Sequence, residues 1–385
     1  MRSARSVAES GEETADGDRE ATGSVFPGPV SLPPLEERPL VSVLIPNKDY
    51  GRFLGEALDG LLAQTYERWE AIVCDDGSSD DSREVVARYA ERDARISLIP
   101  HDRTRGQGAA FNTAFAASTG SVVALLDADD VFRPAKLQRT LASFADSDAG
   151  LVVHPLVVVD ADGTEVQRIP SFTRFERGWI AERVVRRGGR WRWVPTSGVA
   201  LRRGIAELVF PMPEEGFLSS ADTYFLMLAP LLTPVGSVDE VLASYRRHGS
   251  NHFARTRFDT DRVPKTLQNL ELSVACVNER LEALGRSDLR LRAHDNLKHE
   301  ELEFQQDLFG AAPRSELKRR YHQLMNSFDR DDLYGGLQRR WARVLYRVAI
   351  DLPSGARPRW VGASLSATRP KEWARRVWTL GRRSR

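Results

Sequence analysis

Cysteine is almost absent: Cys74 and Cys276 are the only two in 385 residues. They lie far apart in unrelated contexts, which excludes a disulfide framework and a cysteine metal site and fits a reducing compartment. No run of roughly 18 or more apolar residues exists to span a bilayer. The stretch from Met1 to Leu40 also lacks the apolar core of a signal peptide. Charge imbalance is missing as well. A formal net charge of +1 excludes a polyanion-binding protein as a whole, and with it nucleic acid as a partner, although it hides a strongly basic C-terminus balanced by acidic segments. No Gly-x-Gly-x-x-Gly follows the first apolar run and no Gly-Lys-Ser/Thr occurs, so phosphates are not held by a glycine cradle.

What the chain does contain is a regular alternation. Residues 1–38 are rich in Glu, Asp, Ser, Gly and Pro and read as a disordered leader, because so few apolar side chains cannot offset the entropy of ordering. Apolar runs at Leu40–Pro46, Trp69–Cys74, Ile96–Ile99 and Val122–Leu126 read as strands. Between them, helical spacing appears at Leu54, Leu58, Leu61 and Leu62, at Val85, Val86 and Tyr89 behind an N-cap at Ser79 or Asp80, and at Ala110, Phe111, Ala114 and Phe115. This order predicts an α/β protein with a mostly parallel sheet and helices on both faces. A helix from Pro134 to Phe144, strands at 150–154, 156–159 and 199–201, a helix after Ala221 and a strand-like segment from Val235 to Tyr245 follow. From residue 256 to 352 the spacing predicts helices only, across 267–284, 289–309, 315–325 and 337–350. The tail, 353–385, mixes Trp360, Trp373 and Trp378 with arginines. It is a peripheral membrane contact, a solvated helix or a disordered end.

Three carboxylate groups stand out: Asp75-Asp76, Asp127-Ala128-Asp129-Asp130 and Asp222. The first two end apolar strands, where open α/β sheets place their ligands. Acids crowded there raise one another's pKa unless a cation sits among them. A polar turn capping the following helix is the plainer reading of Asp127–Asp130, and a macrodipole-stabilised helix start is that of Asp222.

Val41–Pro46, Gln64-Thr65-Tyr66, Asp75-Asp76-Gly77-Ser78, Asn112, Leu126–Asp130 and Tyr245-Arg246-Arg247-His248 together resemble the motif series of family-2 inverting glycosyltransferases of the GT-A fold, over about residues 39 to 252. The resemblance implies a GT-A domain at 39–255 that uses a nucleotide-sugar donor (UDP-, GDP- or dTDP-sugar) with Mn²⁺ or Mg²⁺. Pro46, Asn47 and Asp49 would line the base pocket and Asp76 would bond the base. Asp127 would lie near the ribose and diphosphate, Asp129 and His248 at the metal, and Arg246 and Arg247 at the phosphates. Asp222 falls at the catalytic base. Trp193, Thr196 and Ser197 are candidates for the acceptor pocket.

Two departures accompany the match: Lys48-Asp49 replaces an aromatic followed by Asn, and Ala221-Asp222 carries one acid where the family often has two. The Gln-x-x-Arg-Trp segment of processive synthases is missing. Transfer of a single sugar to a glycan, lipid-linked or small-molecule hydroxyl is therefore expected, in building a surface glycan or glycolipid, by a cytoplasmic protein for which a peripheral contact at the inner face of the cell membrane stays open. A silent nucleotide-sugar-binding scaffold and a nucleotidyltransferase are the alternatives.

Overall fold

In the computed structural model, residues 26–160, 163–170, 172, 174–214, 221–248 and 260–365 are described. The chain runs β1 (Val41–Asn47), α1 (Gly51–Leu62), β2 (Trp69–Asp75), α2 (Ser82–Arg92), β3 (Ile96–Pro100), α3 (Gln107–Ala117), β4 (Val122–Leu125), β5 (Val131–Phe132) and α4 (Lys136–Ala145). It continues through β6 (Leu151–Val153), β7 (Leu156–Val159), β8 (Glu165–Ile169), α5 (Ala181–Arg186), β9 (Val199–Arg202), α6 (Arg203–Val209), α7 (Ala221–Leu228), β10 (Val235–Ser237) and β11 (Ala243–Arg246). Five helices complete it: α8 (Arg262–Ala283), α9 (Leu297–Phe309), α10 (Arg314–Arg330), α11 (Gly336–Asp351) and α12 (Arg357–Leu365).

The main sheet has the order β10-β6-β9-β4-β1-β2-β3. Only β9 runs against its neighbours β4 and β6, so the sheet is mostly parallel, as the alternation predicts. Every residue of β1 and β4 is buried, because helices cover both faces and the strands consequently read as unbroken apolar runs. Leu126 N–H donates to Leu44 O (3.1 Å), and Asn47 is paired in register with Asp75. The carboxyl ends of β1, β2 and β4 therefore meet at one edge.

A second sheet, β5-β11-β7-β8, does not follow from the periodicity. The strand-like segment Val235–Tyr245 divides: β10 pairs with β6 in the main sheet, while β11 pairs with β7 and, antiparallel, with β5. Two residues of β5 are too short a stretch to carry a pattern.

Other boundaries also shift. Helix α2 starts at Ser82 rather than behind Ser79 or Asp80, since the Asp80 carboxylate accepts from Gly51 N–H (2.9 Å) and Ser82 N–H (3.1 Å) and so closes the first turns of both α1 and α2. Residues 26–38, expected within a disordered leader, lie against the main core: Val30 N–H donates to Leu232 O (2.7 Å), and Phe26, Val30, Leu32 and Leu35 pack on it. Prolines at 27, 29, 33 and 34 restrict this segment before folding, which lowers the entropy of ordering it. The first part of the leader, the cap expected at Ser219 or Ser220, and Trp373 and Trp378 fall outside the described residues.

The helical region divides between two cores. Helix α8 buries Leu270, Val274, Val277 and Leu281 in the first. Helices α9 to α12 form a second around Phe304, Leu308, Leu324, Phe328 and Tyr346. Asn296 caps α9, its side chain accepting from Lys298 N–H. Among the described residues no helix is long and apolar enough to cross a membrane.

Gly120 sits where α3 turns into β4. A Cβ there would lie 2.5 Å from Leu40 O and 2.7 Å from Ser42 N, both backbone atoms of the central strand region and unable to yield cheaply. Gly120→Ala is expected to destabilise the fold by roughly 1–3 kcal/mol, as read from the urea midpoint at unchanged m-value.

Candidate active site

Strand β1 ends in Asn47, whose amide donates to Asp75 Oδ2 (2.9 Å) and Ser78 Oγ (3.2 Å). Asp75 also accepts from Ser78 N–H (3.0 Å) and Arg83 Nε (2.7 Å). Although burial pushes its carboxyl up, these bonds outweigh it and hold the pKa below the usual range. Asp49 stands at φ 56° and accepts from Ser79 N–H (2.7 Å) and Oγ (3.1 Å). The edge after β1 and β2 is thus a rigid lattice of turn bonds. Pro46 is buried within it.

Asp76 does not sit open to a base. Its Oδ1 pairs with His101 Nδ1 (2.7 Å) and Arg105 N–H (2.8 Å), its Oδ2 accepts from Gly106 N–H (2.8 Å), and only 3% of the residue is exposed. A carboxylate has about four lone-pair sites, and most of these are filled from within the protein. These bonds give Asp76 a structural role, fixing the loop before α3, and leave little of its carboxylate for the expected base contact. Cys74 Sγ lies 3.4 Å from His101 Nε2, which mimics a Cys-His-Asp nucleophile. Burial first, then the Asp76 charge, pushes the thiol up to about 12, and the buried group is inert.

The acidic turn after β4 is held from below and from the side. Ser197 Oγ accepts from Asp127 N–H (3.0 Å), and Gln107 Nε2 donates to Asp127 Oδ1 (3.3 Å). Asp130 Oδ1 accepts from Arg246 N–H (3.0 Å) at the end of β11. The polypeptide leaves the turn as β5, which pairs with β11, and that pairing carries His248 back to the turn. His248 Nε2 lies 2.9 Å from Asp129 Oδ2. The His248 ring is braced by Phe53 and Tyr50 at centroid distances of 4.6 and 5.5 Å. Asp222 lies in the first turn of α7, and its charge acts on Asp127 and on Tyr245.

Electrostatics mark this cleft. Burial first, then Asp129 and Asp222, raises the Asp127 carboxyl well above the usual range, and burial with Asp129 and Asp127 does the same to Asp130. Burial raises Asp222 as well. Tyr50 is pushed up to about 12 by burial and by Asp129. Among the described residues, His248 is a basic side chain that pairs with one of these acids.

A hard divalent cation would suit a cluster of carboxylates that burial and mutual repulsion raise. Asp129 Oδ2 and His248 Nε2 lie 2.9 Å apart, at hydrogen-bond distance, and are an oxygen and a nitrogen of the kinds that could both turn to such an ion. Among the described residues no group of three or more His, Cys, Asp or Glu side chains is placed to hold a metal. Asp129 and His248 would then contribute to the coordination of such an ion without completing it.

Three expected contacts have other occupations. Arg246 is 4% exposed, with Nη2 on Glu56 (2.5 Å), Nε on Asp129 O (3.3 Å) and its guanidinium over the Phe53 ring, which makes it a strut of the turn and not an open phosphate ligand. Thr196 and Ser197 are buried beneath Asp127, so they support the acids and present nothing to an acceptor. Trp193 is half-buried against the main core. Arg247 does remain suited to an anion: its backbone N–H is bound to Val159 O (2.8 Å), while its Nε has no hydrogen-bond partner among the described residues.

A family model described as "Glycosyl transferase family 2" matches residues 42–210. A glycosyltransferase of Nostoc sp. is 35% identical over 247 residues, which cover 64% of this chain and 76% of the relative. The chain belongs to glycosyl transferase family 2. A second family relative, the Escherichia coli UDP-Glc:α-D-GlcNAc-diphosphoundecaprenol β-1,3-glucosyltransferase WfgD, is 35% identical over 103 residues, 27% of this chain and 40% of its own length. Among solved structures, S. aureus TarS 1–349 in complex with UDP-GlcNAc matches with 17% identity and a TM-score of 0.48 over 84% of this chain and 90% of that one. So distant a likeness bears on neither donor nor mechanism. Family membership agrees with the α/β architecture and with glycosyltransferase activity.

Sequence reasoning missed Tyr50, Phe53 and Glu56, which carry no motif and act only once α1 faces β11. It also missed Lys136 and His154. Lys136 Nζ is buried beneath Ser197, 2.7 Å from His154 Nε2, 3.3 Å from Ser197 O and 4.3 Å from the Phe132 ring centroid. His154 Nδ1–H donates to Pro155 O (2.9 Å), which leaves Nε2 as the acceptor. Burial pulls Lys136 down to about 7, and burial with the Lys136 charge holds His154 well below its ordinary value. Between about pH 7 and the ordinary lysine value of 10.5 the unfolded lysine binds a proton that the native one lacks. Native stability therefore rises with pH across that window, by up to about 1.4 kcal/mol per unit. Denaturant titrations at about pH 7.5 and about pH 9.5 should show the wild type gaining on Lys136→Met as pH rises.

Proposed function

We propose that this family-2 glycosyltransferase transfers one sugar from a nucleoside-diphosphate donor to a hydroxyl acceptor with inversion, using Mn²⁺ or Mg²⁺, in the synthesis of a surface glycan or glycolipid. The observation that carries the reading is the Asp129–His248 pair, 2.9 Å apart, in a cleft where the charge of Asp222 also reaches Asp127. The activity in WfgD's name, glucosyl transfer to a lipid-linked sugar, supports the acceptor class without naming this chain's donor or acceptor.

Asp222 takes the proton from the acceptor hydroxyl, whose oxygen attacks the anomeric carbon opposite the departing nucleoside diphosphate. The carbon–oxygen bond to the diphosphate breaks as the new glycosidic bond forms. Asp129 and His248 would hold the cation, which would supply positive charge to the leaving diphosphate. Asp127 orients the donor beside it and Arg247 contacts the phosphates. Ser197, Arg246 and Asp130 keep the turn in place, and the Asn47–Asp75–Ser78 lattice shapes the wall toward the base.

Asp129→Ala should lose Mn²⁺-dependent donor binding, measured by thermal shift across nucleotide sugars; undiminished binding would remove the metal role. Asp222→Asn should bind donor as the wild type does while transfer falls by about 10²–10⁴. Donor binding with neither transfer nor hydrolysis in the wild type would identify a silent binding protein instead. Asp222 must be ionised to accept a proton, and its pKa is raised above 3.8. Burial thus shifts the acid limb of kcat/KM upward, and the wild-type pH profile should show that limb.

A further inference from the structure

Helix α11 carries two apolar faces. One, formed by Ala342, Leu345, Tyr346, Ala349 and Ile350, is buried in the second core. The other runs Leu337, Trp341, Val344, Val348, at steps of four, three and four, along about 16 Å of helix. Leu337 is 82% and Val344 48% exposed, and these are two of the four large apolar side chains so exposed among the described residues. Trp341 and Val348 are half-buried beside them. Arg340 and Arg347, both exposed, flank this ridge on one side.

We propose that this face of α11 lies on an anionic lipid surface, with Leu337 and Val344 below the headgroups and Arg340 and Arg347 at their level. An apolar ridge edged by arginines is the pattern of an interfacial helix, in which buried apolar area and attraction to anionic lipid add. Charge decides against the other occupants. From Gly336 to Arg385 the sequence holds twelve arginines and one lysine against Asp351 and Glu372. A second copy meeting this face as an antiparallel helix, about a twofold axis across α11, would bring its own Arg340 and Arg347 to the same side of the pair as these. The chain's own last residues carry the same sign of charge as the flank. A bilayer supplies the missing negative charge. Among the described residues no helix is long and apolar enough to cross it, so the contact is peripheral.

Sedimentation of the full chain with vesicles tests this without donor or acceptor, so its outcome is independent of the proposed transfer reaction. With phosphatidylglycerol and phosphatidylcholine in about equal parts, binding is expected at low salt and should weaken as salt rises. Vesicles of phosphatidylcholine alone should bind little. The double variant Leu337→Glu/Val344→Glu changes only exposed positions. It should unfold at the wild-type temperature, yet partition at least about tenfold less. Arg340→Glu/Arg347→Glu should lose both affinity and salt dependence. A wild type that stays in the supernatant with anionic vesicles overturns the proposal. So does a Leu337→Glu/Val344→Glu variant that sediments like the wild type, or a dimer that this variant dissolves while vesicle binding is unchanged.

Discussion

The constraint on which this structure turns is the crowding of four carboxylates, Asp127, Asp129, Asp130 and Asp222, in a cleft that water only partly reaches. Burial and mutual repulsion raise Asp127 and Asp130 well above the usual carboxylate range. Such an arrangement persists only where the surrounding fold over-determines it. Most of what surrounds the turn can be understood as that support: Ser197 under Asp127, the Arg246 backbone on Asp130, and His248 on Asp129. The Arg246 side chain, tied to Glu56 and laid over Phe53, places a positive charge behind the turn and not within the cleft. The negative charge gathered in the cleft is what a bound divalent cation, under the proposed function, would offset.

The second sheet is the device that makes this geometry possible. Strand β5 begins directly after Asp130 and pairs with β11, so the register of two residues determines where Arg246 and His248 arrive. The ring of His248 is then fixed by Tyr50 and Phe53 at the start of α1. In this way the loop after β1, the turn after β4 and the end of β11 become one site, although they come from opposite ends of the α/β region. The buried Lys136–His154 pair lies one carbonyl away from the same assembly, through Ser197 O.

The C-terminal helices follow a different logic. Helix α8 completes the first core, whereas α9 to α12 enclose their own, joined to the first by ion pairs such as Arg187 with Asp332 (2.6 Å) and Arg190 with Asp331. A core of that size leaves α11 with one face inside and one outside. Apolar side chains on the outer face need a reason beyond packing, and the arginines beside them indicate the surface that would supply it.

The main sheet and the position of its acids were legible in the amino-acid order, because fully buried parallel strands must be written as unbroken apolar runs and their carboxyl ends are marked by abrupt polarity. The succession of motifs likewise grouped Asp127, Asp129, Asp222 and His248 before any contact between them was visible. Folding decided how the remaining polar residues divide between chemistry and support. Asp76, Arg246, Thr196 and Ser197 have the same composition and spacing whether they face a ligand or the protein. What assigned them to the protein was the set of partners brought by strands and loops distant in the chain: His101 for Asp76, Glu56 for Arg246 and Asp127 for Ser197. Hydrogen-bond satisfaction is a property of the folded neighbourhood, and no local pattern encodes it.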